Sequence, residues 1–379
     1  MKILFHYMAR WSSAHASRFY HLLTKVAEFG HEIFVIQPPS RASIEANDFD
    51  VALKVHHNIN VITLPINEKI WMKRFPFDKL FKKFLYTLCS LVFVKKICKK
   101  ENIDFLYIYN IPQFLLLFGK KPKVLFDMAD DLLGMLKAEL SISSKNLMYI
   151  LASKCLNWIL YRSDVVICIS EHLYEKINHP RKYIIPNGAD FPHEVLRLPN
   201  NNDNSSITVG YVGAFEYYMA LDQIVEVADR LRDIKFILVG IGRDFPRIEN
   251  IIRKRNLTNV TLTGALPHRD AMKIISSVDI CLNLFNKTDV SHAVSPLKLF
   301  EYISCKKPVI STRLREVERI DRGFLFYADT VDEIVERIQY ICAHREEALD
   351  KAERGYSYFS KEYSWENIAK NFIRILSEN

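Results

Sequence analysis

Residues 198–213, LPNNNDNSSITVGYVG, run from an asparagine-rich segment into a short apolar segment that ends in glycine. The first half has the composition of a linker, and the second half that of a buried strand. Short apolar runs alternate with amphipathic ones on both sides: KILFHYM, HEIFVIQ, INVITLP, DFLYIYN, KVLFDMA and DVVICIS before it, and KFILVG, VTLTG, DICLNLF, PVIST and FLFYA after it. This alternation predicts an α/β fold of two doubly wound domains.

The predicted domains cover residues 1–199 and 206–360, with the linker between them. Residues 361–379 contain an amphipathic run, SWENIAKNFIRIL, that predicts a final helix. Periodicity leaves open whether this helix packs on the second domain or crosses back to the first. Because ligands of such sheets bind beyond the carboxyl ends of the strands, we expect the chemistry at those ends.

Composition and charge narrow the class of protein. A chain of 379 residues is too long for one ordinary hydrophobic core, so we expect about two domains. The net charge of +8 indicates an anionic partner: nucleic acid, a membrane or a phosphorylated substrate. Seven scattered cysteines without a CxxC pair argue against a disulfide framework and a structural zinc site. No apolar signal segment opens the chain, and FLYTLCSLVFV is too short to span a bilayer, so we expect a cytoplasmic protein.

Glycines follow two strands of the second domain. Gly213 ends GYVG, and Gly240 and Gly242 lie in LVGIG. A glycine at a strand end allows the backbone to approach a phosphate, but a tight strand-to-helix turn explains each one equally well. Neither stretch is a GxGxxG fingerprint, so a dinucleotide oxidoreductase is poorly supported.

The stretch SPLKLFEY, residues 295–302, predicts a helix with Ser295 as its cap and Pro296 in its first turn. Lys298 and Glu301 are three residues apart and so share one face of that helix. Either they form a surface ion pair, or both face a common ligand.

A family resemblance follows from an ordered set of motifs: RSDVVICISEHLYEKI, YIIPNGAD, GYVGAF, FILVGIG, VTLTGALPHRDAMKIISSVDICLNLF and SPLKLFEYISCKKPVIST. The set resembles the GT-B glycosyltransferases, particularly glycosyltransferase family 4 and relatives that build bacterial surface polysaccharides. The resemblance implies two Rossmann-like domains that face a cleft. It also implies a UDP- or GDP-linked sugar on the second domain, a lipid-linked or saccharide acceptor on the first, and no bound cofactor or metal.

By this resemblance Lys298 neutralises the donor diphosphate, and Glu301 accepts hydrogen bonds from the ribose hydroxyls. The implied donor site comprises Gly213, Ala214, Gly240, Gly242, Leu266, Ser295, Pro296, Leu297, Lys298 and Glu301. The chain departs from the family at Ala293, where retaining members carry a second glutamate, and after GYVG, where AFEYYMALD contains no basic residue. Both departures leave the sugar contact and the stereochemistry unassigned.

In the first domain VLFDMADDLLGML ends a strand with Asp127, Asp130 and Asp131. A carboxylate there suits the base that takes the acceptor proton. Because the resembling enzymes carry similar Asp-x-x-Asp-Asp stretches at this place, the resemblance implies catalysis by Asp130 with Asp127. A helix N-cap at Asp130 or Asp131 is the alternative. The resemblance also implies that Ser13, His15 and Arg18 line the acceptor side, whereas a helix cap and a solvated face explain the same residues without a ligand.

Residues 69–100 are basic and aromatic, with lysines that flank an apolar run. This pattern suits the surface of an anionic membrane, which would bring the enzyme to a lipid-linked acceptor at the inner face. A core-packed helix with a solvated basic rim is the alternative. No recognised nucleic-acid module accompanies the patch, so we expect no nucleic-acid partner.

The sequence leaves two other functions open. A nucleotide-sugar epimerase of the same architecture requires several acid/base residues around the sugar, and the sequence shows no convincing set. A non-catalytic nucleotide-sugar-binding subunit of a glycosyltransferase complex is consistent with the missing glutamate at Ala293.

Overall fold

The computed structural model describes residues 1–11, 17–39, 56–66, 78–192 and 207–379, without the side chains of residues 78–80. The described chain forms two compact units, Met1–Pro186 with Ile368–Asn379 and Asn187–Asn367. Three predicted features lie outside the described residues: Ser13 and His15, residues 69–77, and the linker at 198–206.

Unit 1 contains a seven-stranded sheet in which every neighbouring pair is parallel. The strand order is β3-β2-β1-β4-β5-β6-β7, so the chain reverses direction across the sheet between β1 and β4. Its strands are apolar on both faces because helices cover both faces. They are β1 Lys2–His6, β2 Glu32–Gln37, β3 Ile59–Thr63, β4 Phe105–Ile108, β5 Lys123–Met128, β6 Val165–Cys168 and β7 Lys182–Ile184.

The helices of unit 1 divide between the two faces of this sheet, as right-handed crossovers require. One face carries the first helix and the C-terminal residues: Phe19 and Phe372 both contact Tyr107. The other face carries the helix that contributes Tyr86, whose ring stacks on His6. The helices span Arg18–Glu28, Asp78–Glu101, Leu132–Leu140, Leu147–Arg162 and Glu171–Lys176, with a 3-10 segment at Ile111–Leu117; the helix Trp365–Glu378 belongs to unit 1 from Ile368 onward.

Unit 2 repeats the architecture with six parallel strands in the order β10-β9-β8-β11-β12-β13. The strands are β8 Thr208–Val212, β9 Lys235–Val239, β10 Val260–Gly264, β11 Ile280–Asn283, β12 Val309–Ser311 and β13 Phe326–Tyr327. The helices are Leu221–Arg230, Phe245–Lys254, His268–Ser277, Asp289–His292, Leu297–Ser304, Arg315–Ile320, Val331–Ala343 and Arg345–Glu362. Two doubly wound parallel sheets confirm the predicted α/β fold class.

A buried histidine fixes the long helix Asp78–Glu101 against β1. His6 is fully buried; its Nδ1 lies 2.8 Å from Gln113 Nε2, and its Nε2 lies 2.7 Å from the Ser90 hydroxyl. The Gln113 carbonyl oxygen accepts from two backbone N–H groups, so its amide nitrogen donates to Nδ1. The imidazole is therefore neutral, with its proton on Nε2, and desolvation lowers the pKa of His6 to about 3.

We expect this histidine to make the stability of unit 1 depend on pH. The unfolded chain takes up a proton below pH 6.5, whereas the folded chain does not until about pH 3. Stability is therefore complete above pH 6.5 and decreases as the pH falls, by about 1.4 kcal/mol per unit, or about 2 kcal/mol at pH 5. Urea unfolding near pH 5 and pH 7.5 measures this slope.

His6→Gln should flatten the slope even where it lowers stability, since glutamine does not titrate. His57→Gln, at an exposed position, should keep the wild-type slope. An unchanged slope in His6→Gln contradicts the assignment of the buried imidazole as its source.

Candidate functional site

Two loops of unit 2 pack backbone to backbone at the carboxyl ends of β8 and β9. Gly240 has φ +137°, and a Cβ there would lie 1.8 Å from the Gly213 carbonyl oxygen. A Cβ on Gly242 would lie 2.3 Å from the Phe215 carbonyl oxygen. The close approach of the loops therefore requires glycine at these positions with or without a ligand. Beside them the Ala214 carbonyl accepts from the Tyr211 hydroxyl at 2.7 Å.

The helix Leu297–Ser304 begins after Pro296, and no side chain caps its N-terminus. The prediction that Ser295 caps this helix is wrong. The Ser295 hydroxyl accepts from the backbone N–H of Asn187 at 3.3 Å, and its carbonyl accepts from Asn187 Nδ2 at 2.6 Å. Asn187 of the PNG turn thus anchors the start of the helix. The Leu299 N–H donates to the Pro296 carbonyl at 3.0 Å, whereas no described residue accepts from the N–H groups of Leu297 and Lys298.

Lys298 is the unusual charge of this site. It is only 7% exposed, and its ammonium lies 4.5 and 4.4 Å from the ring centroids of Tyr211 and Phe285 and 3.2 Å from Met219 Sδ. No carboxylate of the described residues forms an ion pair with it. Desolvation lowers the pKa of Lys298 to about 7. A buried ammonium without a counter-charge is unfavourable unless an anion joins it.

Glu301 lies one turn further along the same helix. Its Oε1 is 2.7 Å from Nε2 of His268, the first residue of the helix His268–Ser277, and both side chains are partly buried. Burial by itself lowers the pKa of His268, but the hydrogen bond and charge of Glu301, with Asp190, outweigh it and raise the pKa. Sequence reasoning missed His268, because its 33-residue separation from Glu301 follows no local pattern. Leu266 is half-buried in the loop before His268.

In unit 1 the predicted residues Asp127 and Arg18 form a buried ion pair. Arg18 Nε and Nη2 lie 3.0 and 2.9 Å from Asp127 Oδ2, which also accepts from the Tyr107 hydroxyl. Arg18 Nη1 donates to the carbonyls of Ile185 and Pro186. Both charged side chains are closed to solvent, so this pair fixes the backbone around the end of β5 and does not present a group to an acceptor.

Asp130 and Asp131 have separate environments. Asp131 caps the helix Leu132–Leu140 by accepting from the Gly134 N–H at 2.9 Å and forms an ion pair with Lys176. Asp130 is exposed, and its carboxylate has no hydrogen-bond partner in the described part of the chain. Nearby protein atoms nevertheless desolvate the carboxyl group in part, which raises the pKa of Asp130 to about 6, whereas the charge of Lys83 acts to lower it.

The helix Asp78–Glu101 buries three polar side chains and exposes a row of apolar ones. Lys82, Thr87 and Ser90 are buried, whereas Phe84, Leu88 and Val92 form an exposed stripe in which Val92 is 74% exposed. Their spacing of four residues places them on one side of the helix. No helix in the described ranges meets the length and hydropathy that crossing a membrane requires.

The helix Leu147–Arg162 also exposes apolar side chains. Phe118 is exposed and stacks on Trp158 of that helix at 5.8 Å, and a Cβ on the neighbouring Gly119 would lie 3.7 Å from Lys95 Nζ of the helix Asp78–Glu101. The other large exposed side chains of the second helix are Leu147, Met148, Ile150, Leu151 and Tyr161. We call the exposed residues of these two helices and Phe118 the apolar face.

Comparisons with known proteins agree with this geometry. Residues 222–374 match the family described as glycosyl transferase-like. An uncharacterized glycosyltransferase of Methanocaldococcus jannaschii is 26% identical over 57% of this chain and 60% of its own length. A Bacillus subtilis relative, provisionally named a teichuronic acid biosynthesis glycosyltransferase, is 22% identical over 44% of this chain and 45% of its own length. The chain thus matches 60% or less of the length of either relative.

Solved structures share the fold over the whole chain. Sucrose-phosphate synthase of Thermosynechococcus elongatus has a TM-score of 0.76 at 17% identity, and covers 100% of this chain and 98% of its own. Anabaena HepE, solved with UDP and glucose, has a TM-score of 0.73 at 15% identity and covers 100% of both chains. The chain therefore has the GT-B fold, as its motifs predicted.

Proposed function

We propose that this chain transfers a glycosyl group from a UDP- or GDP-linked sugar to a lipid-linked or saccharide acceptor in surface polysaccharide synthesis. The observation that carries the proposal is the Lys298 ammonium, which is buried among aromatic rings without a counter-charge. The UDP bound in HepE supports a nucleotide donor, and the teichuronic acid relative supports a polysaccharide product. We assign the activity to the cytoplasmic side of the cell membrane.

On the donor side, Lys298 neutralises the diphosphate, and the uncapped N-terminus of the helix Leu297–Ser304 adds N–H donors to the same anion. A diphosphate restores the charged state of the lysine, because its negative charge replaces the solvation that burial removes. Glu301, one turn away, accepts from the ribose hydroxyls. The glycines of the β8 and β9 loops bring backbone close to the same ligand.

Replacement of Lys298 by methionine tests the donor site. Methionine keeps an unbranched apolar chain in the aromatic surroundings but removes the charge, so UDP or GDP should bind about 10–100-fold more weakly by calorimetry. Wild-type affinity should decrease above pH 7 as the free lysine loses its proton, whereas the variant should lack this dependence. Lys273→Met, at an exposed pair with Asp270, should bind as the wild type does.

The same variant should gain stability. The folded pKa of Lys298 lies well below the ordinary lysine pKa of 10.5, so the charge destabilises the fold below pH 10.5, increasingly so down to about pH 7, and by a constant amount at lower pH. Lys298→Met should therefore raise the unfolding free energy at pH 7 by more than about 1 kcal/mol, and by less near pH 10. A variant that loses both nucleotide binding and stability would indicate a structural lysine.

On the acceptor side, Asp130 acts as the base. The bond between the anomeric carbon and the diphosphate oxygen breaks, the acceptor oxygen joins that carbon, and Asp130 takes the acceptor proton. Its carboxylate is exposed and free of structural partners, whereas Asp131 is committed to the helix cap. The raised pKa makes Asp130 a stronger base than an ordinary aspartate. Asp127 and Arg18 act as positioning residues beneath it.

Asp130→Asn should lower the transfer rate by about 100–10,000-fold while nucleotide affinity stays unchanged. In the wild type, kcat/KM should decrease tenfold per pH unit below about 6, where Asp130 takes up a proton. Asp131→Asn is the matched control, since asparagine also caps helices, and it should keep most of the activity. Full activity in Asp130→Asn moves the base to another residue.

The apolar face supports an acceptor held at an anionic membrane. Lysines 95, 96, 99 and 100 lie on the same helix as Phe84, Leu88 and Val92, and they are exposed or nearly so. Apolar side chains flanked by lysines suit the boundary between headgroups and acyl chains. A core-packed helix would bury the apolar stripe, and this one exposes it.

Sedimentation with vesicles tests this surface. The protein should bind phosphatidylcholine vesicles that contain phosphatidylglycerol and bind pure phosphatidylcholine poorly, because the lysines require anionic lipid. Leu88→Glu with Val92→Glu should abolish binding, while Leu349→Glu, at an exposed position of unit 2, should not. Concentration-dependent dimers in light scattering, without vesicle binding, would assign the face to a second copy of the chain.

A further inference from the structure

The two carboxylate oxygens of Glu301 are not equivalent. Oε1 is held at 2.7 Å by His268 Nε2, and the described residues supply no partner for Oε2. The side chain of Glu301 is 18% exposed, so part of it stays accessible. One oxygen is therefore fixed by the protein, and the other is available to a ligand.

Position along the helix indicates which ligand atoms the free oxygen meets. Lys298 and Glu301 are three residues apart and emerge on one face, with the lysine at the anion-binding end. A nucleoside diphosphate that places its pyrophosphate at Lys298 places its ribose next along the molecule. A carboxylate at that position accepts from vicinal hydroxyls, but only in the correct rotamer.

An unrestrained glutamate has high rotamer entropy, and fixing it costs binding energy. His268 restrains Glu301 before the ligand arrives, through a hydrogen bond to an ionised carboxylate, which is stronger than a neutral one. The raised pKa of His268 agrees with this pairing, and Asp190 contributes to the same field. The helix that begins at His268 therefore fixes the carboxylate of Glu301 on the helix Leu297–Ser304.

We propose that His268 is a positioning residue that holds Glu301 Oε1 so that Oε2 faces the ribose hydroxyls of the donor nucleotide. This inference rests on the proposed nucleotide-sugar function. A merely structural role, in which the pair ties two helices together, would weaken every nucleotide equally. A positioning role would weaken only those nucleotides that carry the ribose hydroxyl from which Glu301 accepts a hydrogen bond.

The experiment is a thermodynamic double-mutant cycle in which one change is made in residue 268 and the other is the removal of one ribose hydroxyl from the nucleotide. Calorimetry measures binding of UDP, 2′-deoxy-UDP and 3′-deoxy-UDP to the wild type and to His268→Phe, which keeps a flat ring but loses the donor. The wild type should prefer UDP over the more affected deoxy analogue by about tenfold or more. In His268→Phe that ratio should fall to about twofold, while the affinity for the deoxy analogue hardly changes.

His268→Gln retains an N–H donor and should recover part of the preference, and it also serves if His268→Phe fails to fold. His344→Phe, at an exposed position of unit 2, should keep the full preference. If the protein binds GDP in place of UDP, the guanosine analogues replace the uridine ones in the same cycle.

The outcomes separate this inference from the proposed function. A wild type that binds UDP and the deoxy analogues equally contradicts the ribose contact of Glu301 itself. A wild type that discriminates, with variants that discriminate to the same extent, overturns the role of His268 and leaves the donor site intact. Equal weakening of all three nucleotides in the variants assigns His268 a structural role only.

Discussion

A desolvated positive charge is the constraint on which the site of unit 2 depends. Lys298 sits among Tyr211, Phe285 and Met219 with no carboxylate partner among the described residues, and burial lowers its pKa to about 7. Such an arrangement weakens the folded state unless an anion joins the lysine, and this is the basis of the proposed donor site. An anionic ligand recovers the lost solvation energy as binding energy. The position beside an uncapped helix N-terminus directs that anion to a definite place.

In unit 1, by contrast, the buried charges are paired with one another. Arg18 and Asp127 satisfy one another in the interior, and Asp131 is committed to a helix cap and to Lys176. Asp130 is the carboxylate of this group that is left open, at the end of a central strand. Buried pairing of its neighbours thus holds the backbone while one acid stays free. A base needs this combination of fixed position and free lone pairs.

Unit 1 also exposes apolar side chains to solvent. The apolar face of unit 1 exposes Phe84, Leu88 and Val92, although the same helix buries Ser90 through the network around His6. Buried polar groups can be satisfied by one another, but exposed apolar groups keep their contact with water unless a partner covers them. The exposed apolar side chains are the basis of the proposed membrane contact.

Much of this protein follows from local pattern in its sequence. Alternating strands and helices predicted two doubly wound sheets, and the i, i+3 spacing put Lys298 and Glu301 on one helix face, because strand and helix periods are properties of neighbouring residues. The tertiary structure alone decided what long-range contacts control. The Ser295 hydroxyl accepts from Asn187 and does not cap the helix as predicted, and His268 forms a hydrogen bond with one carboxylate oxygen of Glu301. Those partners lie 108 and 33 residues apart, so no local period links them; packing of distant strand ends brings them together.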